Sequence, residues 1–340
     1  MQFSQFGLIV AVLLAGGVQK SATKVKKLTP SPWKSIETKV GPSLSVPIGT
    51  GLISYPTVPQ KRLSSVTLNL KGWPDCSLQV LRSEFEKDED PADSVATKIE
   101  DKLFGLVELS EAKLSKLSYL TVSGFPAIEV EGKKDDGTVF RYRICRTNSC
   151  MFTLALSGTK MPDSASVNHV FESFKLAKDI APGKMTSFGP TAEDAVLVKK
   201  HLTVWTPVAL KETDDVPDFS GDEIKPVGFS GEFGYVSYTA VYAELTPAIV
   251  DQLDEEGIDK LIASKYGIND DGDTVKFNPF TTVTVNKLNF RSVTYDDGDI
   301  QGRVDVAVQD GKLYLFACTV PRGLLDSADV KRFYSSITIK

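Results

Sequence analysis

The sequence predicts an α+β fold, built from two tandem repeats of an antiparallel sheet packed with helices. The first observation is a stretch at residues 140–156 that reads FRYRICRTNSCMFTLAL, with two apolar-rich arms around a polar tip. Arms of β-branched and aromatic residues around a short polar turn are typical of a β-hairpin. The second observation is a similar stretch at residues 303–320, which reads RVDVAVQDGKLYLFACTV. Its centre, Asp310-Gly311, favours a type I′ turn.

An offset of 163 residues relates the two stretches. It places Cys145 on Val308 and Cys150 on Leu313. The same offset superposes the tripeptide Asp-Ser-Ala at 163–165 on an identical tripeptide at 326–328. The sequence therefore predicts that one domain occurs twice.

The chain is long enough for two globular domains with separate cores. It has 340 residues, of which 41% are hydrophobic and 24% charged. The predicted segments are a signal peptide-like segment at 1–22, a basic Pro-containing lead-in at 23–32, a first α+β domain at 33–178, a linker at 179–195, and a second α+β domain at 196–340.

The N-terminal segment carries a short apolar run, Leu8–Ala15, followed by two glycines. The run is too short for a membrane-spanning helix, which needs about 20 residues. It fits the apolar region of a secretory signal, although no Lys or Arg precedes it. We expect an exported protein, periplasmic or secreted, with no integral membrane span after processing. An N-terminal membrane anchor and a merely apolar N-terminus are the alternatives.

In the first domain, the longest predicted helix has an apolar stripe. Val95, Ile99 and Leu103 recur every fourth residue, which suits packing against a sheet. Asp90 is a suitable N-cap, and Pro91 follows at the first helical position. The other predicted elements are strands near 43–47, 66–70 and 77–82, a Gly/Pro-containing loop from 48 through 60, a meander formed by 119–131 and the hairpin, a helix that starts at Asp163 or Ser164, and a strand at 173–176.

The second domain repeats this order. Its long helix is predicted from Thr246-Pro247 to Tyr266. The other predicted elements are strands at 201–207 and around 228–243, a meander at 281–320, a helix after Asp326, and a strand at 336–339. Strands that pair with local neighbours, with helices packed on the sheet, indicate an α+β layered architecture.

Cys145 and Cys150 flank the polar tip of the first hairpin. If Thr147-Asn148 forms a two-residue turn, the two cysteines are opposite each other in a non-hydrogen-bonded pair, with Cα atoms about 4.5 Å apart. That distance is at the low end of disulfide geometry, so an oxidising compartment favours a cross-strand disulfide. Two reduced thiols and half of a metal site are the alternatives. Cys76 and Cys318 are isolated, which favours buried small hydrophobic residues.

The sequence contains no catalytic motif that we can identify. It has no G-x-S-x-G, no P-loop, no H-E-x-x-H and no G-x-G-x-x-G after a strand. Its two histidines, His169 and His201, are expected at the surface. We therefore predict no catalytic and no cofactor-binding residues.

One acidic loop is a weak candidate for a calcium site. Asn269, Asp271 and Asp273 offer the hard oxygen ligands that calcium prefers. However, an EF-hand has glycine at its sixth position, and placing Gly272 there puts a glycine first in the loop, so the pattern fails. Ordinary turn residues are the favoured interpretation, and no cofactor is expected apart from this weak case for calcium.

Charge is distributed unevenly along the chain. Residues 1–195 hold 24 basic and 21 acidic side chains, whereas residues 196–340 hold 15 basic and 23 acidic side chains. Binding to nucleic acid requires concentrated Lys and Arg. The acidic second half makes nucleic acid a poor partner.

The order of elements resembles that of the PsbP-type domain, an α/β/α sandwich named for an extrinsic subunit of photosystem II. The last helix closes with Phe171-Glu-Ser-Phe174 in one domain and Tyr334-Ser-Ser-Ile337 in the other. Related domains occur in Ran-binding import factors and in exported bacterial proteins. The resemblance covers both domains and is architectural. It implies a non-enzymatic binding or assembly module, and no functional residue is carried over.

These observations favour an exported, two-domain binding or assembly-support protein without catalytic activity. Its partner is an unknown protein or small ligand. An enzyme with an unrecognised site in the cleft between domains is one alternative, because ligand sites often form there. An envelope-structural or calcium-responsive protein is the other.

Overall fold

The chain forms two compact units, Met1–Gly189 and Pro190–Lys340. Both are mostly antiparallel sheet with few helices, which gives an α+β structure. The signal peptide-like segment and the lead-in lie outside the described residues. Within the described part of the chain, no helix is long and apolar enough to span a bilayer. The computed structural model describes residues 33–38, 40–58, 63–84, 99, 103, 105, 107, 111–147, 149–177, 195–199, 202–214, 226–267 and 274–339.

The described strands of the first unit form a small sheet and a large one. They are β1 (Trp33–Glu37), β2 (Ser43–Pro47), β3 (Gly51–Val58), β4 (Leu63–Asn69), β5 (Cys76–Glu84), β6 (Ala112–Val122), β7 (Phe125–Lys134), β8 (Val139–Arg146) and β9 (Cys150–Gly158). β1 pairs with β2, and the seven-stranded sheet has the order β3-β4-β5-β9-β8-β7-β6. All these pairings are antiparallel.

Helix α1 (Ser164–Ser173) packs on the large sheet of the first unit. Its N-cap is Asp163, whose carboxylate accepts a hydrogen bond from the Ser166 backbone N–H at 2.9 Å. The predicted helix start is therefore confirmed. Phe171 is fully buried and belongs to the same core cluster as Phe152 and Leu154 of β9.

The long predicted helix of the first unit is described at only a few positions. Ile99 and Leu103 are helical and fully buried, as the apolar stripe predicts. Asp90, Pro91 and Val95 lie outside the described residues.

The second unit also has a small and a large sheet. Its described strands are β10 (Ala195–Lys199), β11 (Leu202–Thr206), β12 (Lys211–Thr213), β13 (Val227–Phe233), β14 (Val236–Glu244), β15 (Lys276–Phe277), β16 (Thr281–Val285), β17 (Leu288–Asp296), β18 (Ile300–Gln309), β19 (Lys312–Pro321) and β20 (Thr338–Ile339). The small sheet has the order β10-β11-β20, and the large one β12-β13-β14-β19-β18-β17-β15, with β16 also paired to β17.

Helices cover both faces of the large sheet in the second unit. They are α2 (Pro247–Val250), α3 (Glu255–Tyr266) and α4 (Ala328–Ser336). Ile262 of α3 shares a core cluster with Val304 of β18. On the opposite face, the ring of Phe333 in α4 lies 6.4 Å from that of Phe316 in β19. Successive side chains of a strand point to opposite faces, so β19 contributes Leu315 to the core beneath α3 and Phe316 to the core beneath α4.

One helix prediction and one strand prediction were wrong. The helix expected from Thr246-Pro247 to Tyr266 is broken, because Asp254 caps a new helix by accepting a hydrogen bond from the Gly257 N–H at 2.9 Å. The strand expected at 173–176 is a single bridge between Lys175 and Ser43.

The predicted loop from 48 through 60 was also wrong in part, because it contains β3. The pairing of β3 with β4 shifts register between Tyr55 and Val58, around Pro56. A proline is tolerated in a strand at an irregularity of this kind, where its missing N–H costs no ladder bond. The predicted linker, 179–195, lies outside the described residues except for Ala195, the first residue of β10.

Candidate functional site

A buried ionic cluster occupies the first unit where α1 covers the sheet. Glu129 on β7 lies directly opposite Arg143 on β8. Its Oε2 accepts a hydrogen bond from Arg143 Nε at 2.7 Å, and its Oε1 accepts one from Arg141 Nη2 at 2.7 Å. Glu129 is 3% exposed. Arg141 Nε also lies 3.4 Å from Oε1 of the part-buried Glu131. Two carboxylates thus balance the two guanidinium groups, as charges removed from water require.

The same arginines hold α1 onto the sheet. Arg141 Nη1 donates to the side-chain oxygen of Asn168 at 2.6 Å, and Arg143 Nη1 donates to the carbonyl of Phe171. The Phe171 ring lies beneath both guanidinium groups, with its centroid 4.5 Å from Arg141 Cζ and 5.4 Å from Arg143 Cζ. These are cation–π distances. The cluster therefore joins two strands and a helix.

The second unit has a related cluster built from different residues. Asp305 on β18 is fully buried and lies opposite Ser292 on β17. Its carboxylate accepts hydrogen bonds from the Ser292 hydroxyl at 2.6 Å and from Arg303 at 2.9 and 2.7 Å. Both oxygens of the Asp305 carboxylate therefore accept hydrogen bonds from side chains of the protein itself.

An aromatic ring of α4 again lies against the guanidinium group. Arg303 Cζ is 4.0 Å from the Tyr334 ring centroid, and the Tyr334 hydroxyl donates to the Arg303 carbonyl. Cys318 Sγ is 3.6 Å from that hydroxyl. Burial raises the pKa of Tyr334 well above its ordinary value and that of Cys318 to about 11. Both groups are therefore neutral near pH 7, which makes them poor nucleophiles.

The predicted register, which placed Cys145 directly opposite Cys150, was wrong. The ladder pairs Cys145 with Phe152, and the Thr147 N–H donates to the Cys150 carbonyl at 2.9 Å. The turn therefore lies one residue later than expected, and the two cysteines are diagonal rather than opposite. Both are free and buried, and burial raises the pKa of Cys145 to about 12.

The reason for the later turn is a side-chain hydrogen bond. The Thr147 hydroxyl accepts from the Cys150 backbone N–H at 3.1 Å and donates to the Cys150 carbonyl at 2.9 Å. This local closure favours Thr147 and Cys150 as the flanking pair. In the second hairpin, Asp310 and Gly311 have φ values of 50° and 71°, which confirms the predicted left-handed turn.

The weak calcium candidates, Asn269, Asp271 and Asp273, lie outside the described residues. Over the positions that the structure does describe, no three His, Cys, Asp or Glu side chains are grouped as metal ligands. Cys76, also free, has a pKa raised to about 11 by burial and by the nearby Asp75.

Of the two histidines, the structure describes His169. His169 is exposed, as predicted, and its ring lies 4.2 Å from that of Trp33. Its Nε2 is 3.1 Å from the Ser45 hydroxyl. His201 lies outside the described residues.

The buried charges were not predicted from the sequence. Arg141 and Arg143 alternate with aromatic residues, a pattern that usually indicates a solvated strand face. The available signal was the matching alternation of Glu129 and Glu131 on the preceding strand. Opposite charges at the same spacing on adjacent antiparallel strands predict cross-strand pairs.

Comparisons with known proteins give only weak similarities. No family model matches the chain, and no curated protein matches it. Among solved structures, cyanobacterial PsbP from Synechocystis sp. PCC 6803 is 16% identical, with a TM-score of 0.34, over 46% of this chain and 98% of that one. The type VI secretion immunity protein TplEi from Pseudomonas aeruginosa is 10% identical, with a TM-score of 0.22, over 90% of this chain and 97% of that one.

A third similarity is to a Pseudomonas aeruginosa protein of unknown function described as a putative regulator. It is 15% identical, with a TM-score of 0.20, over 40% of this chain and 87% of that one. The chain thus has a weak architectural similarity to cyanobacterial PsbP, and no activity follows from any of the three.

Proposed function

We propose that the protein is an exported, non-enzymatic, two-domain binding or assembly-support protein. One observation carries the proposal: the buried carboxylates of the described residues, Glu129 and Asp305, are bound to arginines that contact the covering helices. A general acid or base must reach a substrate proton through a free oxygen or nitrogen. The carboxylates of Glu129 and Asp305 instead accept hydrogen bonds on both oxygens.

The thiols support the same proposal. Covalent catalysis by cysteine needs a thiolate, which a lowered pKa supplies. Cys76, Cys145 and Cys318 all have a raised pKa, of about 11, 12 and 11. We infer that these cysteines have a packing role and that function resides in surface contacts with a partner.

We also infer that the two units are copies of one PsbP-type domain. In support, the large sheets follow corresponding strand orders, and in each the last helix places an aromatic ring under a strand arginine. Arg141 then corresponds to Arg303, an offset of 162 residues, while the ring residues Phe171 and Tyr334 keep the predicted offset of 163. The hairpin alignment from sequence was off by one residue.

Export remains a proposal from the apolar run at the N-terminus. It is tested by the intact mass of the protein recovered from the culture fractions of its native host. We expect loss of the N-terminal segment from protein in the exported fraction. Recovery of the full-length mass from the cytoplasmic fraction alone would contradict export.

The non-enzymatic part is tested by turnover assays on the purified full chain with ester, peptide, phosphate and glycosyl-transfer substrates. We expect no turnover that a single polar substitution abolishes. A turnover lost in one such variant, with unchanged thermal stability, would overturn the proposal in favour of an enzyme. Calorimetric titration with calcium tests the calcium-responsive alternative. That alternative requires a heat of binding that saturates as calcium is added.

A further inference from the structure

The edge strand β6 of the first unit has a free hydrogen-bonding side among the described strands. It is the last strand of the seven-stranded sheet and pairs with β7 only. It is 11 residues long, from Ala112 to Val122. An edge of this kind offers unpaired backbone N–H and C=O groups to another extended chain.

A bulge gathers lysines on one face of this edge. Lys113 pairs with Lys133 and Lys116 pairs with Glu131, with a register shift between Leu114 and Lys116. In a regular strand, residues 113 and 116 point to opposite faces. The extra residue puts both on the face of Lys133, because residues 131 and 133 of β7 share a face.

The resulting surface has more lysines than neighbouring carboxylates. Lys113 and Lys133 are exposed and directly opposite each other, an arrangement of like charges that destabilises a sheet. Lys116 has a carboxylate partner, Glu131, at 3.5 Å. The described residues provide Lys113 and Lys133 with no such partner. A lysine on an edge strand alone deters edge pairing, but Lys133 lies on the inner strand, so the cationic surface is two strands wide.

The second unit lacks this combination at the corresponding edge. There Lys276 of β15 is opposite Asp296 of β17, a pair of opposite charges. The edge is also interrupted between β15 and β16, around Pro279, which has no N–H to donate. Of these two described edges, β6 is therefore the one that combines a single 11-residue strand with unbalanced lysines.

We propose that β6 binds an extended acidic segment of a partner protein by strand addition. The partner backbone extends the sheet next to β6, and its acidic side chains lie on the sheet face that carries Lys113 and Lys133. This inference rests on the proposed binding function and names the class of partner. Strand addition gives affinity through main-chain hydrogen bonds and specificity through alternate side chains. A nucleic acid fits less well, since it cannot continue a β-ladder.

The test uses the full chain and a fluorescein-labelled peptide of 11 residues in which Glu and Val alternate. Fluorescence anisotropy is expected to give saturable binding that weakens with added salt. The double variant Lys113→Glu/Lys133→Glu should bind at least tenfold more weakly. Lys276→Glu in the second unit is the matched control and should change affinity less than twofold. Circular dichroism and thermal melts show whether each variant is folded.

Three further probes separate strand addition from simple charge attraction. The same peptide with alternate backbone nitrogens methylated, a Lys/Val peptide, and an oligothymidylate should each bind at least tenfold more weakly. Equal binding of the methylated peptide or the oligothymidylate would overturn strand addition. Equal loss in Lys276→Glu would overturn the assignment to β6.

Sedimentation distinguishes a partner from a second copy of the chain. We expect a monomer without peptide, whereas a dimer that the peptide does not dissociate would overturn the proposal. Failure of the folded wild-type chain to bind the Glu/Val peptide would also overturn it. That failure leaves the proposed function standing, because turnover and export are measured separately.

Discussion

The two units attach a helix to a sheet through the same contact but supply the carboxylate from different strands. In the first unit, Glu129 on β7 serves two arginines of β8. In the second, Asp305 is on the same strand as Arg303, and the facing strand contributes only the hydroxyl of Ser292. Buried charge at this junction must be balanced, but the balancing group need not occupy one position. What the units share is the guanidinium group over an aromatic ring.

The largest effect is expected from removing the carboxylate of the first unit. Glu129→Gln leaves the buried Arg143 without an anion beneath α1 and leaves Arg141 with only the part-buried Glu131. Breaking such a buried pair costs about 3–5 kcal/mol of unfolding free energy. Urea unfolding, with hydrogen exchange resolved by peptide, measures the loss in each unit. The control is Glu84→Gln, which removes an exposed partner of Arg82 and should cost less than about 1 kcal/mol.

The corresponding change in the second unit should cost less. Asp305→Asn leaves a less buried guanidinium group without its anion, because the Arg303 side chain is 26% exposed whereas that of Arg143 is 8% exposed. Losing hydrogen bonds to a charged group there should cost about 2 kcal/mol. The same exchange experiment reports it. If Asp305→Asn destabilises its unit as much as Glu129→Gln does, the burial of the guanidinium group does not determine the cost.

How far the sequence predicts each unit depends on whether the deciding contact is local. Asp310-Gly311 determines its own turn, because the dipeptide adopts positive φ. The first hairpin was misplaced by one residue, because Asn148 is acceptable in either turn and the Thr147 hydroxyl decided the register. The pairing of Glu129 with Arg143 depends on strands meeting in space, which no single window of sequence shows.

A smaller loss of stability is expected from removing one hydrogen bond between helix and strand. The direction of this bond differs between the two units. In the first unit the strand donates, from Arg143 to the Phe171 carbonyl, whereas in the second the helix donates, from Tyr334 to the Arg303 carbonyl. Tyr334→Phe leaves that part-buried carbonyl one donor short, at a cost of about 1 kcal/mol. Thermal unfolding measures the loss, with Tyr235→Phe at the surface as the control.

The smallest expected difference between the units is in how their helix N-caps respond to pH. The two caps should differ in their contribution to stability only in acid. α1 is capped by Asp163 and α4 by Ser327. Replacing either by Ala should cost about 1 kcal/mol at pH 7. Hydrogen bonds from Ser166, first from its backbone N–H and then from its hydroxyl, lower the pKa of Asp163 in the folded protein. Its contribution is therefore complete above the unfolded pKa and disappears as pH falls through the lower folded pKa.

Thermal unfolding of the wild type, Asp163→Ala and Ser327→Ala from pH 7 to about pH 2 tests this contrast. The difference between the wild type and Asp163→Ala should shrink as the carboxylate is protonated. The difference for Ser327→Ala should persist over any pH range in which the chain still folds, because a hydroxyl does not titrate there. A constant difference for both variants would mean that the Asp163 charge contributes nothing beyond a neutral cap. The Asp163 and Ser327 caps would then stabilise their helices in the same way, as neutral hydrogen-bond acceptors.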